Sequence, residues 1–268
     1  MIDLGKKNLL GVNINALDYE AAVARIIEAG MQSKSLTVTA LAVHGVMTGV
    51  LDSVHRHRLN SLDLVVPDGM PVRWAVNLLH GTALPDRVYG PNLMLKVCEA
   101  AAEYGLPLYF FGTQGETLDK LIKNLRAKFP SILIAGSEPS QFRQLSEAES
   151  VALVERIRSS GARITFAGLG CPRQEIWAYE LGGELSMPVF AVGAAFPFHA
   201  GTLPQAPLWM QNSGLEWLFR FISEPCRLWK RYVYLNPAYL TLVGLQFLRL
   251  RKVDPKKTTK PTQNQRYG

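Results

Sequence analysis

The sequence predicts an α/β fold: a Rossmann-like, mostly parallel sheet with helices on both faces, followed by a basic helical appendage at the C-terminus. Short apolar runs rich in β-branched residues alternate with helix-like stretches up to about residue 200. Several of these runs are apolar without interruption, which is typical of strands buried on both faces. After residue 200 a loop rich in Pro, Gly and Asn leads into stretches that mix cations with aromatic side chains.

The chain has 268 residues and divides into three predicted regions. Residues 1–200 form the α/β domain, 201–250 the helical appendage, and 251–268 a polar, basic tail that we expect to be disordered. The predicted strands, in order, are LLGVNI, SLTVTALAV, LDLVVP, LPLYFFG, SILIAG, ARITFAGLG and MPVFAVGAAF. The predicted helices between them are DYEAAVARIIEAG, HGVMTGVLDSVHRHRL, PNLMLKVCEAAAEYG, ETLDKLIKNLRAKF, SEAESVALVERIRSSG and PRQEIWAYELG.

The positive charge is concentrated at the C-terminal end. From Gly214 onward there are eleven Lys or Arg and three Asp or Glu, a net charge of +8, whereas the preceding residues have a net charge of −1. A cationic segment rich in aromatics suits a nucleic acid, an anionic membrane surface or a phosphorylated ligand. The apolar run from Ala238 to Leu248 is too short to span a bilayer and is better interpreted as a core or interfacial helix.

Two helices are predicted in the appendage. Ser213 and Glu216 have capping-box spacing, so the first helix is expected to begin between them. Pro225 can end it and open the second helix, which Asn236 and Pro237 then end. Both helices are amphipathic, with cations on one side and apolar side chains on the other. A helical subdomain packed on the sheet with a solvated basic face would produce the same pattern.

Ligands of open parallel sheets bind beyond the carboxyl ends of the strands, so the residues that follow each strand are the candidates for the site. Asp68 follows LDLVVP, and a carboxylate there could take a proton from an attacking hydroxyl. The alternative is that Asp68 caps the helix that begins with GMPVRWA. Residue type alone does not choose between the two.

Two further strands are followed by turns that open helices. Gly112 and Thr113 begin a glycine-rich turn whose backbone N–H groups could bind a phosphate, although an ordinary tight turn explains the same residues. Gly170 and Gln174 follow the strand RITFAG, where the Gln amide could hydrogen-bond a ligand or face solvent. This stretch is not a dinucleotide fingerprint, because the third glycine position is occupied by Arg173.

Neither the histidines nor the cysteines form a metal-binding pattern. The three cysteines are far apart and contain no C-x-x-C, which fits a reducing compartment and suggests no zinc site or disulfide framework. His44 follows a strand and could face the crevice, but a core or surface role fits it as well. Arg87 precedes a helix and could clamp a phosphate if it lies beside the crevice. We predict no metal site.

Several stretches together resemble the bacterial glycosyltransferase family WecG/TagA/CpsF, whose members transfer N-acetylmannosamine or its uronic acid. The matching stretches, in order, are PDGMPVRWA, RVYGPNLM, FFGTQGE, GLGCPRQEIW, VGAAFPFHAG, QAPLWMQNSGLEWLFR and EPCRLWKRY. The resemblance implies an inverting transferase that needs no metal or other cofactor and uses a UDP-sugar donor. It also implies a polyprenyl-diphosphate-linked sugar as acceptor, at the cytoplasmic face of the bacterial membrane.

The resemblance also implies roles for individual residues. Asp68 matches the proposed base, and Arg87 and Gln174 match polar positions of the active-site pocket. The matched cations of the appendage, expected to complete the site and touch the membrane, are Arg220, Arg227 and Lys230. Beyond these matched positions, the residues predicted to bind substrate are Thr39, His44, Gly112, Thr113 and Gly170.

The sequence departs from the family pattern at two positions. Many members have T-x-N after the second strand, but here Thr39 is followed by Ala40 and Leu41, so the amide is missing and His44 is a candidate replacement. Many also have Asp where this chain has Pro197. Both losses lie where donor contacts are expected, so altered donor choice or weakened activity would follow.

These features bear on three function classes. A peripheral membrane glycosyltransferase in the cytoplasm explains most of them; its partners would be the donor, the lipid-linked acceptor and an anionic membrane surface, with no nucleic acid. A non-catalytic nucleotide-sugar-binding or membrane-scaffold protein is the alternative favoured by Leu41 and Pro197. An oxidoreductase with a dinucleotide cofactor is disfavoured by the failed fingerprint. The sequence leaves a homo-oligomer open.

Overall fold

The computed structural model describes the backbone of all 268 residues and every side chain except those of Arg227, Arg231 and Lys230. The strands are β1 (Asp3–Leu9), β2 (Val12–Leu17), β3 (Leu36–Leu41), β4 (Leu64–Pro67), β5 (Leu108–Gly112), β6 (Ile134–Glu138), β7 (Ile164–Gly168) and β8 (Pro188–Ala191). The helices are α1 (Tyr19–Met31), α2 (Val43–Leu51), α3 (Ser53–Ser61), α4 (Met70–His80), α5 (Gly90–Glu103), α6 (Gly115–Lys128), α7 (Glu147–Ser159), α8 (Arg173–Leu185), α9 (Ala195–His199), α10 (Leu208–Asn212), α11 (Glu216–Ser223), α12 (Pro225–Lys230) and α13 (Asn236–Phe247).

Six strands form one parallel sheet in the order β4-β3-β8-β7-β5-β6, which confirms the predicted α/β class. Side chains alternate between two apolar cores, one on each face, as the pleat requires. Phe111 of β5 and Leu41 of β3 point to the face covered by α2, α4, α7, α8 and α13. Phe110 and Phe166 point to the opposite face, which α1, α5, α6 and α9 cover. Both faces are buried, which explains the uninterrupted apolar runs.

The run LLGVNI is not one strand, so that prediction was wrong. Leu10 and Gly11 form the turn of an antiparallel hairpin in which Leu9 pairs with Val12. Both turn residues have positive φ, at +55° and +92°, which is the backbone of a two-residue hairpin turn. The hairpin is a separate two-stranded sheet, and Asn15 accepts a hydrogen bond from Val65 N of β4 at 2.8 Å.

The stretch predicted as one helix from His44 to Leu59 is two helices, α2 and α3. The break lies at Asp52, whose backbone is extended and whose carboxylate accepts hydrogen bonds from Val54 N and His55 N. An aspartate in this position caps a new helix. The first residues of α2 remain at the carboxyl end of β3.

The helices of the C-terminal region differ from the prediction in detail. The capping box does not form, because the Ser213 hydroxyl donates to Trp209 O and α11 begins at Glu216 after an uncapped Leu215. Pro225 opens α12 as predicted. Asn236 and Pro237 do not end the helical path: a π-helical segment, Arg231–Leu235, leads directly into α13, and Pro237 lies in the first turn of that helix.

Part of the predicted appendage belongs to the main core. Tyr239 and Val243 of α13 are 1% and 6% exposed and pack in the core that also contains Leu41. No helix among the described residues is both long enough and apolar enough to cross a bilayer.

The tail, 251–268, lies along the surface of the α/β body, in contrast to the disorder expected from its composition. Asn60 donates to Pro255 O, and Ser53 shares a hydrogen bond with Thr259. Farther on, Arg266 pairs with Glu184. These contacts join residues about two hundred and about eighty positions apart in the chain, so local composition carries no sign of them.

Candidate active site

A pocket of about 130 Å³ opens at the carboxyl edge of the sheet, between the ends of β3 and β4 and the C-terminal helices. It collects residues from three distant parts of the chain, which is the position expected for a ligand site in an open parallel sheet. Its lining, in chain order, is Ala42, Val43, His44, Asp68, Gly69, Met70, Pro71, Arg87, Gly214, Glu216, Trp217, Arg220, Leu228, Tyr232, Leu235 and Asn236.

Asp68 follows β4 directly and lies in this pocket. It does not cap the helix that follows it, because Gly69 precedes α4 and makes no side-chain cap. Its Oδ1 accepts instead from Gly90 N, the first residue of α5, at 2.5 Å. Gly90 allows this approach, since a Cβ there would lie 2.9 Å from Ala40 Cβ and 3.3 Å from Asp68 Oδ1.

Asp68 is arranged to change protonation close to neutral pH. Burial raises the pKa of its carboxyl to about 6, and the nearby Glu216 carboxylate acts in the same direction. Arg87, the Gly90 N–H and Arg220 each lower it and so limit the rise. A carboxyl with this pKa is ionised at pH 7 and is more basic than an exposed aspartate, so it is better suited to take up a proton.

Arg87 forms a buried ion pair with Glu216 of α11. Arg87 Nη2 lies 2.7 Å from Glu216 Oε2, and the two side chains are 9% and 11% exposed. Tyr89 supports the pair: its hydroxyl donates to Glu216 Oε1 at 3.0 Å, and its ring lies 4.3 Å below the Arg87 guanidinium carbon. Burial raises the pKa of the Tyr89 phenol, so it remains a hydrogen-bond donor. The pair holds the C-terminal helices against the sheet edge.

The appendage contributes one described cation to the pocket. Arg220, one turn after Glu216 on α11, lines the pocket, and its guanidinium lies 5.7 Å from the Phe198 ring. His44 lines the opposite wall, in the first turn of α2. Arg227 and Lys230 belong to α12, but their side chains lie outside the described part of the structure, so their predicted roles remain predictions.

Gln174 lies in a second polar cluster along the same edge of the sheet. Its Oε1 accepts from Gly193 N at 2.7 Å, and its Nε2 donates to Glu175 Oε1 at 2.8 Å. Thr39 of β3 donates to the same Glu175 oxygen at 3.2 Å. Burial raises the pKa of Glu175, whose side chain is fully enclosed. These bonds fix the orientation of the Gln174 amide and leave one of its N–H groups for another partner.

The remaining predicted residues lie farther along the edge. Gly112 and Thr113 follow β5, and Thr113 N donates to Gly168 O at 2.9 Å, so this turn is joined to the end of β7. Gly170 follows β7 and accepts from Gln174 N with its carbonyl. None of these three lines the Asp68 pocket. The structure therefore brings together Asp68, Arg87, His44 and Arg220, and separately Thr39, Gln174 and Gly170.

The two departures from the family pattern have different surroundings. Leu41 is 1% exposed and packs in the core beneath Gly45, so it fills apolar space and offers no polar group to the pocket. Pro197 lies in α9, and its carbonyl accepts from Thr202 and Leu203. His44 faces the pocket, near the end of the strand that carries Leu41.

Sequence reasoning missed the partners that organise both clusters. The sequence pattern indicates Glu216 only as a capping residue and singles out neither Tyr89 nor Glu175. The available signal for Glu216 was its type: it is an acidic residue in a helix rich in aromatic and apolar side chains, close to many cations. No local pattern marks Glu175, which follows Gln174 and would be exposed on most helices. In the described part of the chain no group of three or more His, Cys, Asp or Glu is arranged to hold a metal ion.

A carboxylate of raised pKa, a paired arginine and a second arginine at the carboxyl edge of a parallel sheet suit a group transfer in which a proton is removed and negative charge develops. The family model of the WecG/TagA/CpsF glycosyl transferases matches residues 7–253. The chain therefore belongs to this family and is a glycosyltransferase of cell-wall polysaccharide synthesis. The match includes both polar clusters and the helices α11 to α13.

The Glu175 cluster leads to a prediction about stability. Glu175→Ala would leave the Gln174 amide and the Thr39 hydroxyl without an acceptor in a buried site and create a cavity, so unfolding should become easier by about 2–4 kcal/mol. Glu175→Gln keeps an acceptor oxygen and removes only the ionisable group, and should cost less than about 1 kcal/mol. Urea unfolding at pH 7.5 measures both.

Glu155→Ala, on the exposed side of α7, is the matched control and should change stability by less than about 0.5 kcal/mol. Equal losses for the Gln and Ala variants of Glu175 would show that its hydrogen bonds to Gln174 and Thr39 do not stabilise the fold.

Proposed function

We propose that the chain transfers a sugar from a UDP-sugar to a polyprenyl-diphosphate-linked sugar, with inversion at the anomeric carbon. The observation that carries the proposal is the convergence of Asp68, Arg87 and Arg220 on one pocket in a chain of this family. Asp68 takes the proton of the acceptor hydroxyl while that oxygen bonds to the anomeric carbon. The bond from this carbon to the UDP oxygen breaks, and UDP leaves with the electron pair.

The negative charge that develops on UDP needs stabilisation by fixed cations and dipoles. Arg220 and Arg87 both line the pocket, and Arg87 is paired there with Glu216. A pocket of about 130 Å³ takes the reacting groups of the two substrates, but it is smaller than usual ligand sites of roughly 300 Å³ or more. We place the rest of the donor along the sheet edge, toward Gln174, Gly170, Gly112 and Thr113.

We also propose that the C-terminal region rests on the inner face of the cell membrane. It combines the excess positive charge with apolar side chains in solvent, the composition of an interfacial segment. Examples at half or more exposed are Ile222, Val233, Tyr234, Leu248 and Leu250. A lipid-linked acceptor lies in that membrane, so this orientation would bring its diphosphate to the pocket.

Asp68→Asn tests the catalytic proposal. Turnover should fall by about 10²–10⁴-fold, the usual contribution of a general base, while UDP binding is kept. The fold should survive, because the amide oxygen can still accept from Gly90 N. The raised pKa means that the ionised carboxyl costs stability above about pH 6, so the variant should be at least as stable as the parent at pH 8.

Activity is measured as UDP release with a short-chain lipid-diphosphate acceptor, and stability by thermal unfolding at pH 8. Near-parental turnover in Asp68→Asn would remove Asp68 from the chemistry. Donor binding without transfer by the parent chain would favour a nucleotide-sugar-binding protein, the role that Leu41 and Pro197 would suit.

Metal independence is tested by chelation. Arginines, rather than a divalent ion, are proposed to balance the charge of the leaving diphosphate, so UDP release should persist in excess EDTA at a rate within about twofold of the untreated enzyme. Arg220→Ala should instead reduce turnover by about tenfold or more, and added Mg²⁺ should not restore it. Loss of activity in EDTA that Mn²⁺ or Mg²⁺ reverses would contradict the proposal.

Membrane binding is tested with liposomes that contain anionic lipid. Ile222→Gln combined with Val233→Gln should weaken co-sedimentation several-fold, because the two apolar side chains no longer enter the interface. Binding of the parent should weaken as salt rises, because each engaged cation adds about 1 kcal/mol at low ionic strength. The control is Leu133→Gln with Val151→Gln, exposed residues of the α/β body. Equal binding by the two double variants would exclude the proposed membrane face.

A further inference from the structure

An apolar groove of about 420 Å³ continues from the pocket that contains Asp68. The two share lining residues, among them Pro71 of α4, Asn236 of α13 and Trp217 of α11. From this common end the groove extends away from Asp68 between α4 and α13. A single ligand can therefore occupy the pocket and the groove together.

The groove is built from one stripe of each helix. On α4 the stripe is Pro71, Trp74, Ala75 and Leu78, and on α13 it is Asn236, Tyr239, Leu240 and Val243. Both have the spacing i, i+3, i+4, i+7 that puts side chains on one helix face. Seven residues of helical rise give the groove a length of roughly 10 Å.

The groove has a closed floor and an open apolar rim. Ala75, Tyr239 and Val243 form the floor and are at most 6% exposed. Trp74, Leu78 and Leu240 form the rim and are 47%, 53% and 64% exposed. The Tyr239 hydroxyl donates to Pro71 O at 3.0 Å, so it presents no unsatisfied polar group to the groove. None of the lining residues described is charged.

The charges lie at the opposite end, in the pocket. Two arginines, Arg87 and Arg220, and two carboxylates, Asp68 and the Arg87-paired Glu216, are there, so polarity changes from ionic to hydrocarbon-like over one continuous cavity. A ligand that matches this change has an anionic head and an apolar chain. A second protein helix fits poorly, because the cavity is closed below and ends at the reacting groups.

We propose that the groove binds the first part of the hydrocarbon chain of the lipid-linked acceptor, with its diphosphate at the end that the groove shares with the pocket. This inference rests on the proposed function, since it assigns a binding site to that acceptor. The groove positions the chain so that the attached sugar reaches Asp68. It also gives the enzyme a preference for acceptors by chain length, because each methylene removed from water tightens binding about fourfold.

Binding can be tested apart from sugar transfer with prenyl diphosphates that carry no sugar. The probes are a three-isoprene and a one-isoprene diphosphate below their micelle concentrations, and binding is followed by calorimetry. The parent should bind the longer probe at least about tenfold more tightly. In Leu78→Gln combined with Leu240→Gln, the ratio of the affinities for the long and the short probe should fall by about tenfold or more. The affinity for the short probe should stay within about twofold of the parental value. Leu133→Gln with Val151→Gln should keep the parental advantage.

A benzophenone on the prenyl chain locates the occupant directly. Photo-crosslinking of this probe to peptides from α4 and α13, equally in the parent and in Asp68→Asn, supports binding of the prenyl chain in the groove. Crosslinks confined to the exposed face of α11 and to 231–235 overturn the proposal. An affinity that does not depend on the length of the prenyl chain also overturns it. Concentration-dependent dimerisation that protects Leu78 and Leu240 from labelling would assign the groove to a second copy, which also overturns it. Labelling needs no turnover, so a chain without transferase activity still gives a result.

Discussion

The buried ion pair between Arg87 and Glu216 is the interaction on which the site depends. It joins the loop before α5 to the first turn of α11, two segments more than a hundred residues apart. A buried pair contributes little net stability, but breaking it leaves one charge uncompensated at a cost of about 3–5 kcal/mol. The Tyr89 hydroxyl fills a further lone pair of Glu216, which the low-polarity environment requires. The pair therefore fixes where the C-terminal helices lie.

That position determines the character of Asp68. Without α11 the carboxyl end of β4 would be open to water, and the pKa of an aspartate there would be that of an exposed side chain. With Glu216, Trp217 and Arg220 as part of the pocket wall, Asp68 is desolvated and lies between charges of both signs. The same helices form one end of the apolar groove. In the proposed function the cationic, aromatic C-terminal region has three connected tasks: closing the pocket, holding the lipid and resting on the membrane.

The sequence predicted the parallel sheet and the edge at which the site lies, because both follow from local patterns: uninterrupted apolar strands and the residues directly after them. Asp68 was identified for this reason, whereas Arg87 was identified as a loop residue before a helix and through the family resemblance. The hairpin at Leu10 and the break at Asp52 were missed, because two short elements in succession look like one longer apolar or helical run. The partners Glu216 and Glu175 could not be predicted, since each is defined by a contact with a residue far away in the chain.

The most direct test of this account is a carbon-13 NMR titration of the Asp68 side-chain carboxyl, assigned by the loss of its signal in Asp68→Asn. We expect a midpoint near pH 6 in the parent. We expect a lower midpoint in Glu216→Gln, because a carboxylate that raises the pKa of Asp68 is removed and Arg87 is freed to lower it. A parental midpoint near the ordinary value of about 4, unchanged in Glu216→Gln, would contradict the claim that the C-terminal helices enclose and tune Asp68.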